Sequence, residues 1–381
     1  MRLELDEEHR SLRHSIRSFA ESEIRPHAAE SDRTRRFPTA EVKKAAELGL
    51  MGVMIPEEFG GAGMDSLSYV LIIEEISRVD ASLGVILSVN NSLYCHPIAM
   101  FGTPEQKRKY LEPFAKGEKL GCYCLTEPDS GSDAGSMKTR AERSGEKWIL
   151  NGSKVFVTNG VAADAAIVYA KTDPSAPSSK GISAFIVEKD FPGYSTGKPE
   201  TKLGITSSGS VEIVLDNCEV PGENLLGEVD HGFRIALHTL DGGRIGIAAQ
   251  SLGIAQGAFD EAIRYSKERK QFGVPISRHQ AIQFYLADMA TEIDAARLLT
   301  YRAAMAKDTQ ERYTLEASMA KLFASEIANK VATKAVQIFG GYGYINEYPV
   351  ERYFRDARIC EIYEGTSEIQ RLVISSQILK K

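Results

Sequence analysis

The chain has 381 residues, 43% of them hydrophobic and 26% charged, which excludes a disordered or collagen-like polymer and fits two or three folded domains. A net charge of −6 leaves no basic footprint for nucleic acid. No apolar run approaches the ~20 residues that cross a bilayer, so no membrane segment is expected.

The start, Met1 to Glu8, is acidic and reads as neither a signal nor a transit peptide. The cysteines, Cys95, Cys122, Cys124, Cys218 and Cys360, match no CxxC pair and no zinc spacing. Reduced thiols in a cytoplasmic protein are expected. The histidines show no metal-ligand spacing, so no metal is assigned.

Residues 1–118 are expected to form an N-terminal all-α domain. Leu12, Ile16, Phe19 and Ile24 outline an early amphipathic face. Ile55 to Gly63 is a glycine-rich loop without the strand–GxGxxG–helix setting of a phosphate cradle. Helical stretches follow from Leu67 to Val79 and on through Phe101, and Thr103-Pro104 restarts a helix as cap and first residue.

Residues 119–225 change to period two and predict a middle β-barrel-like domain. Asn151-Gly152 between apolar runs predicts a hairpin turn. Ala165–Lys171, Ile182–Glu188 and Val211–Leu215 are further strands, and Asp173–Lys180 is an exposed loop. Alternation places Cys122 and Cys124 on one face.

Residues 226–381 return to helical period and predict a C-terminal four-helix bundle. Ile245, Ala248, Leu252, Ala255, Phe259, Ala262 and Tyr265 share one face; Ala281–Met305 and Leu315–Phe339 are two more long helices. The paired glycines Gly340 and Gly341 stop the last of these. Beyond them, Thr366 or Ser367 can cap a closing helix, with capping-box spacing from Ser367 to Gln370. Taken alone, Glu364 is a loop carboxylate before a helix N-terminus, where acids are common for dipole reasons.

The run Ile362-Tyr363-Glu364-Gly365-Thr366-Ser367-Glu368-Ile369 resembles the catalytic loop of the acyl-CoA dehydrogenases. The order helices, β domain, helical bundle is similar to that family over essentially the whole chain. Tyr123-Cys124-Leu125-Thr126-Glu127-Pro128 through Asp133 resembles its first signature. The resemblance implies that Tyr123, Leu125 and Thr126 face a flavin and that Ser132 lies beside a CoA arm. Phe156 and Thr158 stand where the family packs an aromatic ring and a hydroxyl against the flavin; many members carry Trp in place of Phe156.

Asp241-Gly242-Gly243-Arg244 resembles the segment whose Arg244 and Asp241 meet the CoA ligand. In isovaleryl and long-chain relatives the catalytic Glu immediately precedes this Arg. Here that residue is Gly243, so the resemblance leaves Glu364 as the base, flanked by Tyr363 and Gly365 at the substrate. Arg269, Gln271, Phe272 and Gln280 match FAD contacts, with a guanidinium fork suited to pyrophosphate. Gln337, Gly340 and Gly341 match the adenosine side of an FAD shared with a neighbouring subunit. Thr366 and Glu368 are implied cofactor contacts as well. On their own, these glycines and basic residues also read as helix ends.

What the family implies is FAD-dependent α,β-dehydrogenation of an acyl-CoA to a trans-2-enoyl-CoA. Glu364 would take the α-proton and flavin N5 the β-hydride, and electrons would pass to electron-transferring flavoprotein, with Glu200 at a family docking position. A homotetramer is expected. Ser88–Tyr94, Leu240–Ala248 and Glu364–Leu372 most resemble short-chain (butyryl-CoA) members, while Cys95-His96 departs from their usual pair. A glutaryl-CoA-type enzyme, an oxygen-reacting member and a non-dehydrogenase flavin-binding relative are the alternatives. Against the first, the segment Ala81–Leu87 lacks a basic residue, with Gly84 where glutaryl-CoA enzymes place an Arg.

Overall fold

The computed structural model describes residues 5–177 and 179–380. The readings made on Met1–Glu4, Ser178 and Lys381 lie outside them. The N-terminal helices are α1 (Glu7–Phe19), α2 (Arg25–Thr34), α3 (Thr39–Glu47), α4 (Ser66–Ser77), α5 (Ala81–Ser88), α6 (His96–Phe101), α7 (Pro104–Gln106) and α8 (Glu112–Ala115). Acidic and hydroxyl caps start four of them. Asp6 accepts from His9 N–H, Asp65 from Ser68 N–H, and Asp80 from the N–H of Ser82 and Leu83. Thr103 and Gln106 form a reciprocal capping box. Between α5 and α6 the chain widens into a π-helical turn, Val89–Cys95, a distortion that concentrates at functional sites.

The strands are β1 (Gly121–Cys124), β2 (Arg140–Ser144), β3 (Lys147–Val157), β4 (Ala165–Lys171), β5 (Ile182–Glu188), β6 (Tyr194–Thr196), β7 (Val211–Pro221) and β8 (Leu225–Leu226). They form one sheet in the order β6-β7-β3-β2-β4-β5-β8, with β1 parallel to β4. Alternation along β4 divides two cores. Ile167 and Tyr169 pack with Tyr94 and Phe114 of the helices, whereas Ala166 and Val168 pack with Trp148 and Phe185. Cys122 and Cys124 share the second face, and all five cysteines are buried free thiols.

The hairpin expected at Asn151-Gly152 is not there. Both residues lie inside β3, and the β2–β3 reversal is made at Gly145, with φ +63°. Asn151-Gly152 instead marks a bulge, where the β3–β7 pairing slips between Leu150 and Gly152. Gly152 has φ +147°, and a Cβ there would stand 2.5 Å from Thr139 Oγ1. The glycine is required by a close crossing, not by a turn.

The C-terminal helices are α9 (Gly232–Glu268), α10 (Gln280–Thr309), α11 (Thr314–Phe339), α12 (Val350–Ala357) and α13 (Ser367–Ile378). α9, α10 and α11 pack on one another, α13 packs on α11, and α4 crosses from the N-terminal helices onto α9. One hydrophobic core therefore runs from Ile16 through Leu71 and Leu252 to Val331. The two helical regions are separate in sequence but continuous in packing.

A buried ion pair fixes the turn after β1. Lys154 on β3 is fully buried, and its Nζ donates to Glu127 Oε1 at 2.7 Å and to the Leu125 carbonyl at 3.2 Å. Glu127 also accepts from the backbone of Thr139 at 3.0 Å. Removing one partner strands the other charge, so Glu127→Ala should cost about 3–5 kcal/mol in urea unfolding. Glu127→Leu combined with Lys154→Met should cost much less; equal losses would show that the pair itself is not what matters.

Candidate active site

Glu364 sits in the tight loop between α12 and α13, in left-handed backbone with φ +52°, followed by Gly365 at +91°. A non-glycine residue there costs on the order of 1–2 kcal/mol, so its surroundings must enforce it. Lys321, fully buried on α11, donates from Nζ to the Gly365 carbonyl at 2.7 Å. Gln370 Nε2 donates to the Glu364 and Gly365 carbonyls at 3.2 and 3.0 Å. Thr366 caps α13 by accepting from Ile369 N–H at 3.3 Å, whereas Ser367 Oγ is buried without a partner. Of the two capping candidates, Thr366 is the one used.

The carboxyl group of Glu364 points at α9. Its Oε2 is buried and unpartnered although the residue as a whole is half-buried. A Cβ on Gly243 would stand 2.1 Å from that oxygen and 2.8 Å from Leu93 Cδ2. Gly243 is thus the hollow that admits the acid. Burial raises the Glu364 pKa to about 7, while Lys321 and Arg244 pull in the opposite direction. The Glu364 N–H makes no hydrogen bond among the described residues.

Around this acid the polar groups are tied in pairs. Tyr363 donates to Gln250 Oε1, and Gln250 donates to the Ala81 carbonyl at 2.9 Å. Tyr69 and Ser88 share a 2.9 Å hydrogen bond beside Gly246. Arg244, 5% exposed, donates to Asp241 Oδ1 at 2.7 Å and to Ser318 Oγ at 3.4 Å. Asp241 also accepts from Thr314 Oγ1 at 2.6 Å, and its burial pushes its pKa up.

Some of the remaining sequence-predicted residues form two further patches, and the others are exposed outside them. Arg269, Gln271, Gly340 and Gly341 line one cavity of about 450 Å³ with Tyr265, Phe339 and Tyr342. The guanidinium of Arg269 lies 5.5 Å over the Tyr342 ring, and a Cβ on Gly340 or Gly341 would meet only open space. Phe272 is 93% exposed and left-handed; it, Gln280 and Gln337 are exposed and are not among that cavity's lining residues. In the sheet, Thr126 O accepts from Val155 N–H at 2.9 Å, which holds the end of β1 against β3 beside Phe156 and Thr158. Phe156 is left-handed and 69% exposed, so its ring is presented and not packed. Leu125 is buried, and Tyr123 has a buried hydroxyl without a partner. Ser132 and Glu368 are exposed.

Lys321 and Gln250 were not singled out in the sequence, and Gln370 was read only as a capping-box partner of Ser367, whereas its side chain binds the Glu364 and Gly365 carbonyls. A signal for Lys321 existed: it falls on the face of α11 shared by Ala317, Ala324 and Ala328, all buried. A lysine on an apolar stripe needs a fixed acceptor. The capping assignment can be checked directly. Thr366→Ala should lower stability by about 1 kcal/mol in thermal or urea unfolding, and Ser367→Ala should be close to neutral.

Three family models match: the acyl-CoA dehydrogenase N-terminal domain over residues 6–118, the middle domain over 122–218 and the C-terminal domain over 230–379. The short-chain specific acyl-CoA dehydrogenase of Clostridium acetobutylicum is 52% identical over 380 residues, covering 100% of both chains. Butyryl-CoA dehydrogenase from Megasphaera elsdenii superposes with a TM-score of 0.97 at 45% identity, covering 100% of both chains. A chain solved in work on the electron transferring flavoprotein of Acidaminococcus fermentans gives a TM-score of 0.98 at 51% identity, again over 100% of both chains. The chain belongs to the acyl-CoA dehydrogenase family, flavoprotein oxidoreductases of fatty-acid β-oxidation.

Proposed function

We propose that the protein dehydrogenates a short-chain acyl-CoA to its trans-2-enoyl-CoA with Glu364 as the α-proton base. The observation that carries this reading is the Glu364 carboxyl itself, whose Oε2 is buried without a hydrogen-bond partner and faces the hollow at Gly243. A base works best with a pKa near the operating pH, and burial brings Glu364 to about 7. Its free N–H can donate to the thioester carbonyl, where negative charge grows as the α-proton leaves. Lys321 and Gln370 hold that N–H and the carboxyl in one geometry through the two neighbouring carbonyls.

The chain offers surfaces that fit FAD. The Arg269–Gly340–Gly341 cavity joins a guanidinium to a backbone unobstructed by side chains, as a dinucleotide pyrophosphate requires. Phe156 presents an exposed ring beside Thr158 and the backbone of Thr126, suited to a flat heterocycle. Bound FAD would supply the acceptor for the β-hydrogen. Electron-transferring flavoprotein is the proposed onward acceptor. A homotetramer is the proposed assembly, for which the exposed Phe272 beside the FAD cavity is support.

Short-chain preference rests on relatives and on the wall of the site. Tyr69 with Ser88 and Tyr363 with Gln250 form neutral hydrogen-bonded pairs close to Glu364, so this wall itself presents no cation. Gly84 is buried, and a Cβ there would stand 2.0 Å from Ser77 Oγ, so an arginine at the position a glutaryl-CoA enzyme uses would require Ser77 to move.

The first test is an anaerobic titration of the purified flavoprotein with butyryl-, isobutyryl-, glutaryl- and cyclohexanecarboxyl-CoA. Bleaching of the flavin band by butyryl-CoA is expected; no bleaching by any thioester would overturn the reading. Glu364→Gln should slow reduction by about 10²–10⁴-fold while ligands still bind. In the parent enzyme kcat/KM should rise with pH through about 7 as Glu364 ionises.

The same raised pKa favours the protonated acid in the fold. Its stability contribution is therefore full below the ordinary value of 4.5 and is lost as pH rises through about 7. Glu364→Gln should accordingly melt higher than the parent at pH 8 but not at pH 4. Arg269→Ala should lose FAD more readily on gel filtration; unchanged retention would remove it from the pyrophosphate site.

A further inference from the structure

The surroundings of α9 differ on the two sides of Gly243. Toward its C-terminus the polar groups of Tyr69, Ser88, Gln250 and Tyr363 are mutually satisfied. Toward its N-terminus they are not. Tyr313 is only 5% exposed, and its hydroxyl has no partner. His96 Nε2 is also buried without a partner. Among the described residues, the hydrogen-bond partner of the half-buried Lys307 at Nζ is the thioether sulfur of Met54 at 3.2 Å, with no carboxylate in ion-pair contact.

These groups converge on one place. Lys307 Nζ and Tyr313 OH each lie 3.8 Å from where a Cβ on Gly242 would stand. The His96 ring is stacked on His238 at 5.9 Å, and His238 precedes Gly242 by one helical turn on the same face. Buried donors are rarely left unmatched, and a cation beside a thioether is poorly solvated.

We propose that Lys307, Tyr313 and His96 form a subsite for an oxygen acceptor of the thioester ligand. The inference rests on the reading that acyl-CoA thioesters bind at Glu364. A cationic ammonium, a phenol and an imidazole suit a carbonyl or carboxylate oxygen and do not suit a further methyl group. Two parts of the ligand carry such oxygens: the amide carbonyls of the CoA arm, and an oxygen on the acyl tail. The first fits the position of the cluster, because half-buried His238 leads from it toward solvent while the opposite direction along α9 is closed core.

The test compares the dissociation constants of butyryl-CoA and glutaryl-CoA by calorimetry on FAD-loaded protein. A Glu364→Gln background lets binding be read without turnover. Lys307→Met should weaken ligand binding about tenfold or more, the loss expected for one charge-assisted hydrogen bond. Equal losses for both ligands place the oxygen on the CoA arm, and a loss confined to glutaryl-CoA places it on the acyl tail. Lys307→Arg should recover most of the affinity. Tyr313→Phe, which removes a single oxygen atom, should weaken binding in the same pattern and carries the test if Lys307→Met fails to fold.

Affinities within about twofold of the parent for both ligands in both variants would overturn the subsite. So would a loss that Arg does not rescue and that tracks a lowered melting temperature. Calorimetry does not depend on flavin reduction. A parent enzyme that binds thioesters but is bleached by none would sink the dehydrogenase reading and leave the subsite standing.

Discussion

A carboxyl group held against the backbone of a helix, with a glycine where any side chain would collide, sets the terms for the rest of this protein. Glu364 can occupy that position only because its loop takes a left-handed turn. The turn persists because Lys321 and Gln370 bind the Glu364 and Gly365 carbonyls. Three elements of the bundle contribute: α9 the hollow at Gly243, α11 the buried ammonium, and α13 the glutamine, with the cap at its start. A bundle in which these helices slid by one turn would keep its hydrophobic stripe but lose the acid's position.

The sheet is located against this bundle by buried amides. Asn90, in the π-helical turn after α5, donates to the carbonyls of Met51 and Phe114 at 2.9 and 3.1 Å and accepts from Gly121 N–H at 2.9 Å. Asn159, just past β3, donates to the carbonyls of Ile86 and Gly121, both at 3.1 Å. These hydrogen bonds join α5, β1 and β3 near Phe156. Hydrophobic contact alone is tolerant of small slips, whereas a buried amide with fixed partners is not. Their directionality fixes the spacing between sheet and helices.

Much of this was legible in the sequence because long helices announce themselves by period and the loop around Glu364 by its residues. The stripe from Ile245 to Tyr265 and the stop at Gly340-Gly341 fall where periodicity placed them. The hairpin reading failed at Asn151-Gly152 because a glycine needed for close approach has the same letter as one needed for a turn. The Thr139 side chain that Gly152 must clear is distant in sequence. Lys321, Gln250 and Lys154 were hidden for a related reason: each is a polar residue whose partner is a carbonyl, a tyrosine or an acid brought in by tertiary packing. Ser367 was indistinguishable from Thr366 as a cap until backbone geometry chose between them.

The hollow at Gly243 also has an evolutionary reading. Two chain positions, one on α9 and one on the loop before α13, open onto the same small volume, and it holds a single side chain. An acid carried on α9 at Gly243 would enter the space that Glu364 fills here. With Glu364 placed as it is, a side chain at Gly243 would displace the carboxyl, so the residue on α9 and the acid on the loop act as a pair: a change at one asks for a change at the other.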